Sequence, residues 1–184
     1  MIRKTGLWAF KRSSILLSLG FLMVIVTGCT GLPDKVTPVE PFDLQRYLGE
    51  WHEVARLDHS FERNLVDVTA NYSLREDGGV RVINAGFNEK TQQAESVEGK
   101  AYFIGSDKVG RLKVSFFGPF YGSYNIAKLT PDYSMALVVG PSLDYAWILS
   151  RHQTPGLAKC EAFFKAAEQI GIPRQKWIQI LSCQ

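Results

Sequence analysis

The sequence has few of the residues and motifs that carry enzyme chemistry. It contains three cysteines and three histidines in 184 residues. The histidines, His52, His59 and His152, lack the His-Glu-x-x-His spacing of a zinc site. There is no Gly-x-Ser-x-Gly nucleophile turn and no phosphate-binding loop. Asp58 next to His59 favours a turn contact over an acid–base pair, because adjacent side chains point in different directions. An enzyme is therefore the least favoured function.

The first part of the sequence lacks acidic residues. Four cations, Arg3, Lys4, Lys11 and Arg12, precede an apolar run over residues 15–26. A run of about a dozen residues is shorter than the roughly 20 that a membrane-spanning helix needs. The pattern therefore indicates an export signal and makes a permanent span the weaker interpretation.

The apolar run ends at Val26-Thr27-Gly28-Cys29, where small residues precede a cysteine. This segment resembles the lipobox of bacterial lipoproteins, in which the cysteine is acylated and the chain is cut just before it. The resemblance implies a signal peptide over residues 1–28 and a lipid on Cys29, which anchors the chain stably if two acyl chains are attached. Because Thr30 follows and not Asp, it also implies an outer-membrane location in a Gram-negative host, with the domain facing the periplasm. A signal peptide with a chance cysteine is the alternative.

The remaining chain has no surplus of positive charge. Removing residues 1–28 takes away four cations and no acidic residue, and changes the formal net charge from +3 to −1. Composition therefore gives no reason to expect nucleic acid as a partner. Residues 29–42 contain three prolines and are expected to form an extended stand-off between the membrane and one domain over residues 43–184.

From residue 47 onward, short β-rich runs alternate with turn signals. In residues 68–74, the apolar positions alternate with Thr69, Asn71 and Ser73, which is the period of a strand with one apolar face. Asp77-Gly78 then favours a hairpin turn. Eight such runs with short connections predict an all-β fold, an eight-stranded antiparallel up-and-down barrel. The strands are predicted over residues 49–57, 68–74, 80–87, 97–104, 111–117, 121–129, 134–139 and 145–150.

The pattern changes after Arg151. Thr154-Pro155 favours a helix start, with proline at the first helical position, and Gly171 and Pro173 end the helix. Residues 176–181 are predicted as a short final strand. Between these signals, apolar residues recur at three- and four-residue spacing as one stripe that should pack on the outside of the barrel: Leu157, Cys160, Phe163, Phe164, Ala167 and Ile170.

Two cysteines remain once Cys29 is acylated. An export signal places Cys160 and Cys183 in an oxidising compartment, where a disulfide can form. The sequence does not set the distance between their Cα atoms, so a disulfide and two separate thiols both stay open.

Three local motifs resemble those of the lipocalin family. Gly49-Glu50-Trp51 resembles its Gly-x-Trp signature, Asp144-Tyr145 its second motif with Leu143 in place of the usual threonine, and Arg151 its third. The resemblance implies that Arg151 packs over the signature tryptophan at the closed end of the barrel. A guanidinium on an indole contributes about 0.5–2 kcal/mol.

Residues 58–63 and 113–122 are similar to the bacterial lipocalins, which are related to apolipoprotein D. The resemblance implies a small hydrophobic ligand, a fatty acid or a lysophospholipid, held for lipid storage, transport or envelope maintenance, with no cofactor and no metal.

The residues themselves supply candidates for the cavity lining. Alternation along residues 111–117 turns Leu112, Val114 and Phe116 inward, and alternation along residues 145–150 turns Tyr145 and Trp147 inward. By resemblance, Tyr121 lies near the open mouth. The candidates are Leu112, Val114, Phe116, Tyr121, Tyr145 and Trp147.

A scaffold with a filled barrel is the second alternative to a carrier. Its aromatic loop over residues 116–124 would then contact a protein partner, since exposed aromatic clusters mark interaction sites. Dimerisation of two identical chains through the same loop is compatible with either function.

Replacing Cys29 by alanine tests the anchor. Because the variant has no acylation site, we expect Cys29→Ala protein in the soluble fraction, whereas the native chain sediments with membranes. Fractionation followed by immunoblotting measures the distribution. Retention of the variant in the membrane fraction would refute lipid attachment at this residue.

Overall fold

The computed structural model of the protein describes residues 30–184, so the predicted signal peptide over residues 1–28 and the predicted lipid attachment at Cys29 lie outside the described residues. Within these residues the fold contains a short helix, a longer helix, nine strands and one turn of 3-10 helix. In chain order the helices and strands are α1 (Leu44–Tyr47), β1 (Gly49–Arg56), β2 (Leu65–Leu74), β3 (Val80–Asn88), β4 (Gln93–Phe103), β5 (Arg111–Ser115), β6 (Gly122–Leu129), β7 (Met135–Val139), β8 (Ala146–Ser150), α2 (Leu157–Ile170) and β9 (Ile178–Gln179).

Strands β1 to β8 form a closed antiparallel barrel. Each strand pairs with the next, and β1 pairs with both β2 and β8. The first half of β1 pairs with β2 and the second half pairs with β8. The two pairings meet at His52, which is opposite Thr69 of β2 on one side and Ser150 of β8 on the other. This arrangement confirms the predicted fold class, and closure removes the unpaired edges of an open sheet.

The connections between strands define two ends of the barrel. The closed end carries α1 and the connections that follow β2, β4 and β6. The open end carries the connections that follow β1, β3, β5 and β7. Phe42, Tyr47 and Trp51 belong to the core cluster inside the barrel, and because α1 lies at the closed end, this packing fills the barrel there.

Helix α2 covers one outer wall of the barrel. Cys160, Phe163, Phe164 and Ala167 are buried against β1, β7 and β8 in a second core cluster. Every residue of β7 is buried as a result, because its two faces pack on the barrel interior and on the helix. The predicted stripe is confirmed at these four positions, but Leu157 is exposed.

The helix begins later than the sequence predicts. Its first residue is Leu157 after Gly156, so Pro155 precedes the helix and the prediction of proline at the first helical position is wrong. The main chain of Gln184 donates to the Pro155 oxygen and accepts from the Leu157 nitrogen. This pairing with the end of the chain holds residue 155 extended. Gly171, at φ 104°, ends the helix as predicted.

The final strand is shorter than the predicted range of 176–181. Residues 174–176 form a turn of 3-10 helix, and β9 contains only Ile178 and Gln179, paired with Arg56 and Ala55 of β1. The nitrogens of residues 180 and 181 both donate to the Val54 oxygen, which ends the regular ladder.

Cys160 and Cys183 are joined by a disulfide, with 6.3 Å between their Cα atoms. The sequence leaves a disulfide and two separate thiols open, and the structure contains the disulfide. It ties α2 to the segment that follows β9. Closing a loop of this size stabilises a fold by about 3 kcal/mol in the chain-entropy description.

Residues 30–42 pack on the barrel, which corrects the prediction of a stand-off. Val36 and Phe42 are buried, and Val39 donates to the Ile126 oxygen while its own oxygen accepts from Gly110. Val36 packs in the core cluster beside α2, whereas Val39 and Phe42 pack with the core cluster inside the barrel. These three apolar residues attach the segment to the barrel.

The closed end depends on Arg151, which lies over buried Trp51 with 4.0 Å from the guanidinium carbon to the ring centroid. Trp51 Nε1 donates to the Tyr47 oxygen at 2.9 Å. Gly49 has φ 92°, and a β-carbon there would stand 3.3 Å from the Arg151 side chain, so glycine is needed at this position. Arg151 also donates to four main-chain oxygens, those of Arg46, Tyr47, Leu48 and Glu50.

Trp51→Ala is expected to lower the free energy of unfolding by about 3–5 kcal/mol, because it leaves a cavity under Arg151. Urea denaturation followed by circular dichroism measures the loss. Trp177→Ala, at a partly exposed tryptophan beside α2, is the control and should cost less. Equal losses in the two variants would contradict this account of the closed end.

Candidate ligand-binding cavity

A cavity of about 760 Å³ occupies the barrel above the packed closed end. Its volume lies within the roughly 300–1,000 Å³ of most small-molecule sites. Aliphatic and aromatic side chains make up most of the lining, and the cavity opens among the connections of the open end. The barrel can therefore hold an apolar molecule that enters from this end.

All the cavity residues proposed from the sequence line this one space: Leu112, Val114, Phe116, Tyr121, Tyr145 and Trp147. Ser115 also lines it, although alternation turns this residue outward. The reason is that β5 ends at Ser115, and Phe116 then leaves the ladder and lies across Gly99. Asp144, which precedes Tyr145 in the second motif, is exposed in the β7–β8 connection.

Three tyrosine hydroxyls form a chain within the cavity lining toward the closed end. Tyr124 Oη lies 2.7 Å from Tyr47 Oη and 2.8 Å from Tyr72 Oη. Burial raises the pKa of each of the three phenols above its ordinary value. They stay protonated at neutral pH and satisfy one another's hydrogen bonds. This group was not predicted from the sequence, although the inward position of Tyr72 followed from alternation.

Two carboxyl groups interrupt the apolar lining of the cavity, and the guanidinium of Arg56 is buried beside them. Arg56 donates to Glu53 Oε1 at 2.6 Å and to the main-chain oxygen of Glu62 at 2.8 Å. Trp147 Nε1 donates to Glu62 Oε2 at 2.9 Å. Glu53 and Glu62 both line the cavity, and both are buried. Neither glutamate was predicted from the sequence, because glutamate ordinarily faces solvent.

Burial controls the titration of these carboxyl groups. Burial and the charge of Glu62 raise the pKa of Glu53 to about 7, although the guanidinium of Arg56 opposes this change. Burial also raises the pKa of Glu62, against the hydrogen bond from Trp147. One cation faces two buried acids, so these carboxyl groups retain a proton to a higher pH than exposed glutamates do.

Asp58 and His59 point in different directions. Asp58 is exposed and forms an ion pair with Arg63 at 2.7 Å. His59 is buried and stacks between Phe61 and Tyr145, with ring centroids 5.2 and 5.1 Å away. Burial lowers the pKa of His59, so the neutral imidazole is part of the aromatic wall beside the mouth.

Within residues 30–184, no three His, Cys, Asp or Glu side chains are grouped as a metal site would require. In the same part of the chain, no helix has both the length and the hydropathy to cross a membrane.

Comparisons with known proteins agree with this architecture. The model of the lipocalin-like domain family matches residues 42–181. The chain is 47% identical over 158 residues to the outer membrane lipoprotein Blc of Vibrio cholerae, covering 85% of this chain and 92% of that protein. It is 49% identical over 160 residues to the Escherichia coli K12 protein of the same name, covering 87% and 90%. Insecticyanin from the tobacco hornworm Manduca sexta shares the fold, with a TM-score of 0.65 at 22% identity over 84% of this chain and 88% of that one.

The titration of Glu53 predicts how stability depends on pH. The pKa of Glu53 is higher in the folded chain than its ordinary value of 4.5, so the folded state binds more protons between these values. The contribution of Glu53 to the free energy of unfolding should therefore fall as pH rises from about 4.5 to 7, by at most about 3 kcal/mol. Urea denaturation across this range measures the slope.

Glu53→Gln should flatten that slope. Glu98→Gln is the matched control, because Glu98 is exposed, pairs with Arg81 and has a lowered pKa. A slope in Glu53→Gln as steep as in the native chain would rule out this residue as its source.

Proposed function

The chain belongs to the lipocalin family, and on that premise we propose that it is a lipid-anchored envelope lipocalin that holds one fatty acid or lysophospholipid in its barrel. The observation that carries the proposal is the open, mostly apolar cavity of about 760 Å³. It also argues against the scaffold alternative, which needs a barrel filled by its own side chains.

The lining suits one acyl chain with its head group toward the mouth. Leu112, Val114 and Phe116 offer an apolar wall, and Tyr121 and Tyr145 have hydroxyl groups nearer the opening. Burying ten methylenes would contribute roughly 8 kcal/mol. Losses of translational and conformational freedom reduce this gain, so we expect micromolar affinity or somewhat better.

The cellular location is part of the proposal. Two relatives of nearly half identity are named as outer membrane lipoproteins, which supports acylation of Cys29 after removal of residues 1–28. The barrel would then face the periplasm from the outer membrane. Lipid storage, transport or envelope maintenance requires only that the ligand be bound and released, so no catalytic step is invoked.

Calorimetric titration of delipidated protein, residues 30–184, tests ligand binding. We expect saturable one-to-one binding of a long-chain fatty acid or a lysophospholipid, and the two affinities rank the head groups. Trp147→Ala should weaken binding about tenfold or more, because a large apolar contact in the cavity is lost.

Trp177→Ala is the matched control for the titration. Trp177 packs beside Phe164 of α2, outside the barrel, so its removal should leave the affinity unchanged. An absence of binding to folded, delipidated protein would refute the carrier function. An equal effect of the two substitutions would refute the role of Trp147.

A further inference from the structure

Residues 30–42, which pack on the barrel, determine which end of the barrel lies near the proposed lipid attachment at Cys29. Gly31 packs against the β7–β8 connection, where its β-carbon would stand 3.4 Å from the oxygen of Pro141. Pro141 lines the cavity at the open end. At the other end of the segment, Phe42 donates to the Lys108 oxygen in the β4–β5 connection at the closed end. Residues 31–42 therefore run from the open end to the closed end.

Along this path, a lipid attached to Cys29 would lie close to the mouth of the barrel. Consecutive Cα atoms are about 3.8 Å apart, so Cys29 is within about 8 Å of Gly31 along the chain. The contacts of Val36, Val39 and Phe42 with the barrel hold the rest of the segment in place. An acyl group on Cys29 would therefore start beside the cavity opening.

The rim of the mouth is apolar and faces solvent. Phe61, Phe117 and Phe120 line the opening and have exposed fractions of 62%, 78% and 64%. Exposed apolar clusters of this kind mark interaction sites, membranes among them. Arg63 and Asp58, beside Phe61, neutralise each other in an ion pair, so this part of the rim suits an electrically neutral surface.

We propose that the barrel sits with its mouth against the bilayer that holds its anchor, with Phe61, Phe117 and Phe120 inserted among the lipid head groups. The orientation rests on the proposed lipid attachment at Cys29. It lets an amphiphile pass between the bilayer and the cavity without crossing bulk water.

Hydroxyl-radical footprinting on nanodiscs tests the orientation. The acylated chain is placed, one copy per disc, in a neutral bilayer of phosphatidylcholine and phosphatidylethanolamine. Residues 30–184 in buffer serve as the reference, because they contain the complete barrel, both core clusters and the disulfide. Burial of one phenylalanine favours the inserted state roughly tenfold or more. We therefore expect Phe117 to be oxidised about tenfold more slowly on discs, with Leu74 at the closed end unchanged.

Phe117→Ser should reduce the protection of Phe61 severalfold, since it removes part of the inserted rim. Leu157→Ser is the matched control, because Leu157 is exposed at the start of α2, away from the mouth. It should leave the protection of Phe61 intact.

Four results would overturn the orientation. Protection of Leu74 in place of Phe117 would mean that the closed end faces the bilayer, and equal reactivity on discs and in buffer would mean that neither end does. Rim protection that appears in buffer as protein concentration rises would identify a second copy as the occupant. Loss of the chain from the discs would refute the anchor as well, whereas the ligand titration tests the carrier function separately.

Discussion

The fold depends on how one end of the barrel is sealed while the other stays open. Arg151 forms this seal, because its planar guanidinium covers Trp51 and donates to four main-chain oxygens around α1. A lysine has neither the plane nor the fork of donors for this arrangement. Because the hydrogen bonds of Arg151 fix the closed end, the strands can enclose a cavity toward the open end and still form a unique structure.

Two clusters of polar groups at the cavity above this seal have hydrogen-bond partners of their own. The hydroxyls of Tyr47, Tyr72 and Tyr124 bond to one another, and Arg56 binds both Glu53 and the main chain of Glu62. A buried polar group is costly chiefly when it has no partner. Burial outweighs Arg56 in setting the pKa of Glu53, so this carboxyl group retains its proton to a higher pH, which reduces the cost of its burial.

Local patterns predicted the eight barrel strands, the stop of α2 at Gly171 and a small part of the cavity lining, because alternation and turn chemistry act over a few residues. The remaining features depend on partners distant in sequence. Pro155 precedes the helix because Gln184 pairs with it, and residues 30–42 lie on the barrel because its wall offers them a surface. Glu53 was missed for the same reason, since only the folded barrel brings Arg56 and Glu62 around it.

The burial of β7 on both faces has a consequence for how the sequence can vary. A strand covered by the barrel core on one side and by α2 on the other has no solvent-facing position, so every side-chain change alters packing. Residues 93–98 of β4, on the far wall, are exposed. Neutral drift among descendants of this sequence should therefore accumulate on the β4 wall and spare β7, which makes the two walls of one barrel evolve at different rates.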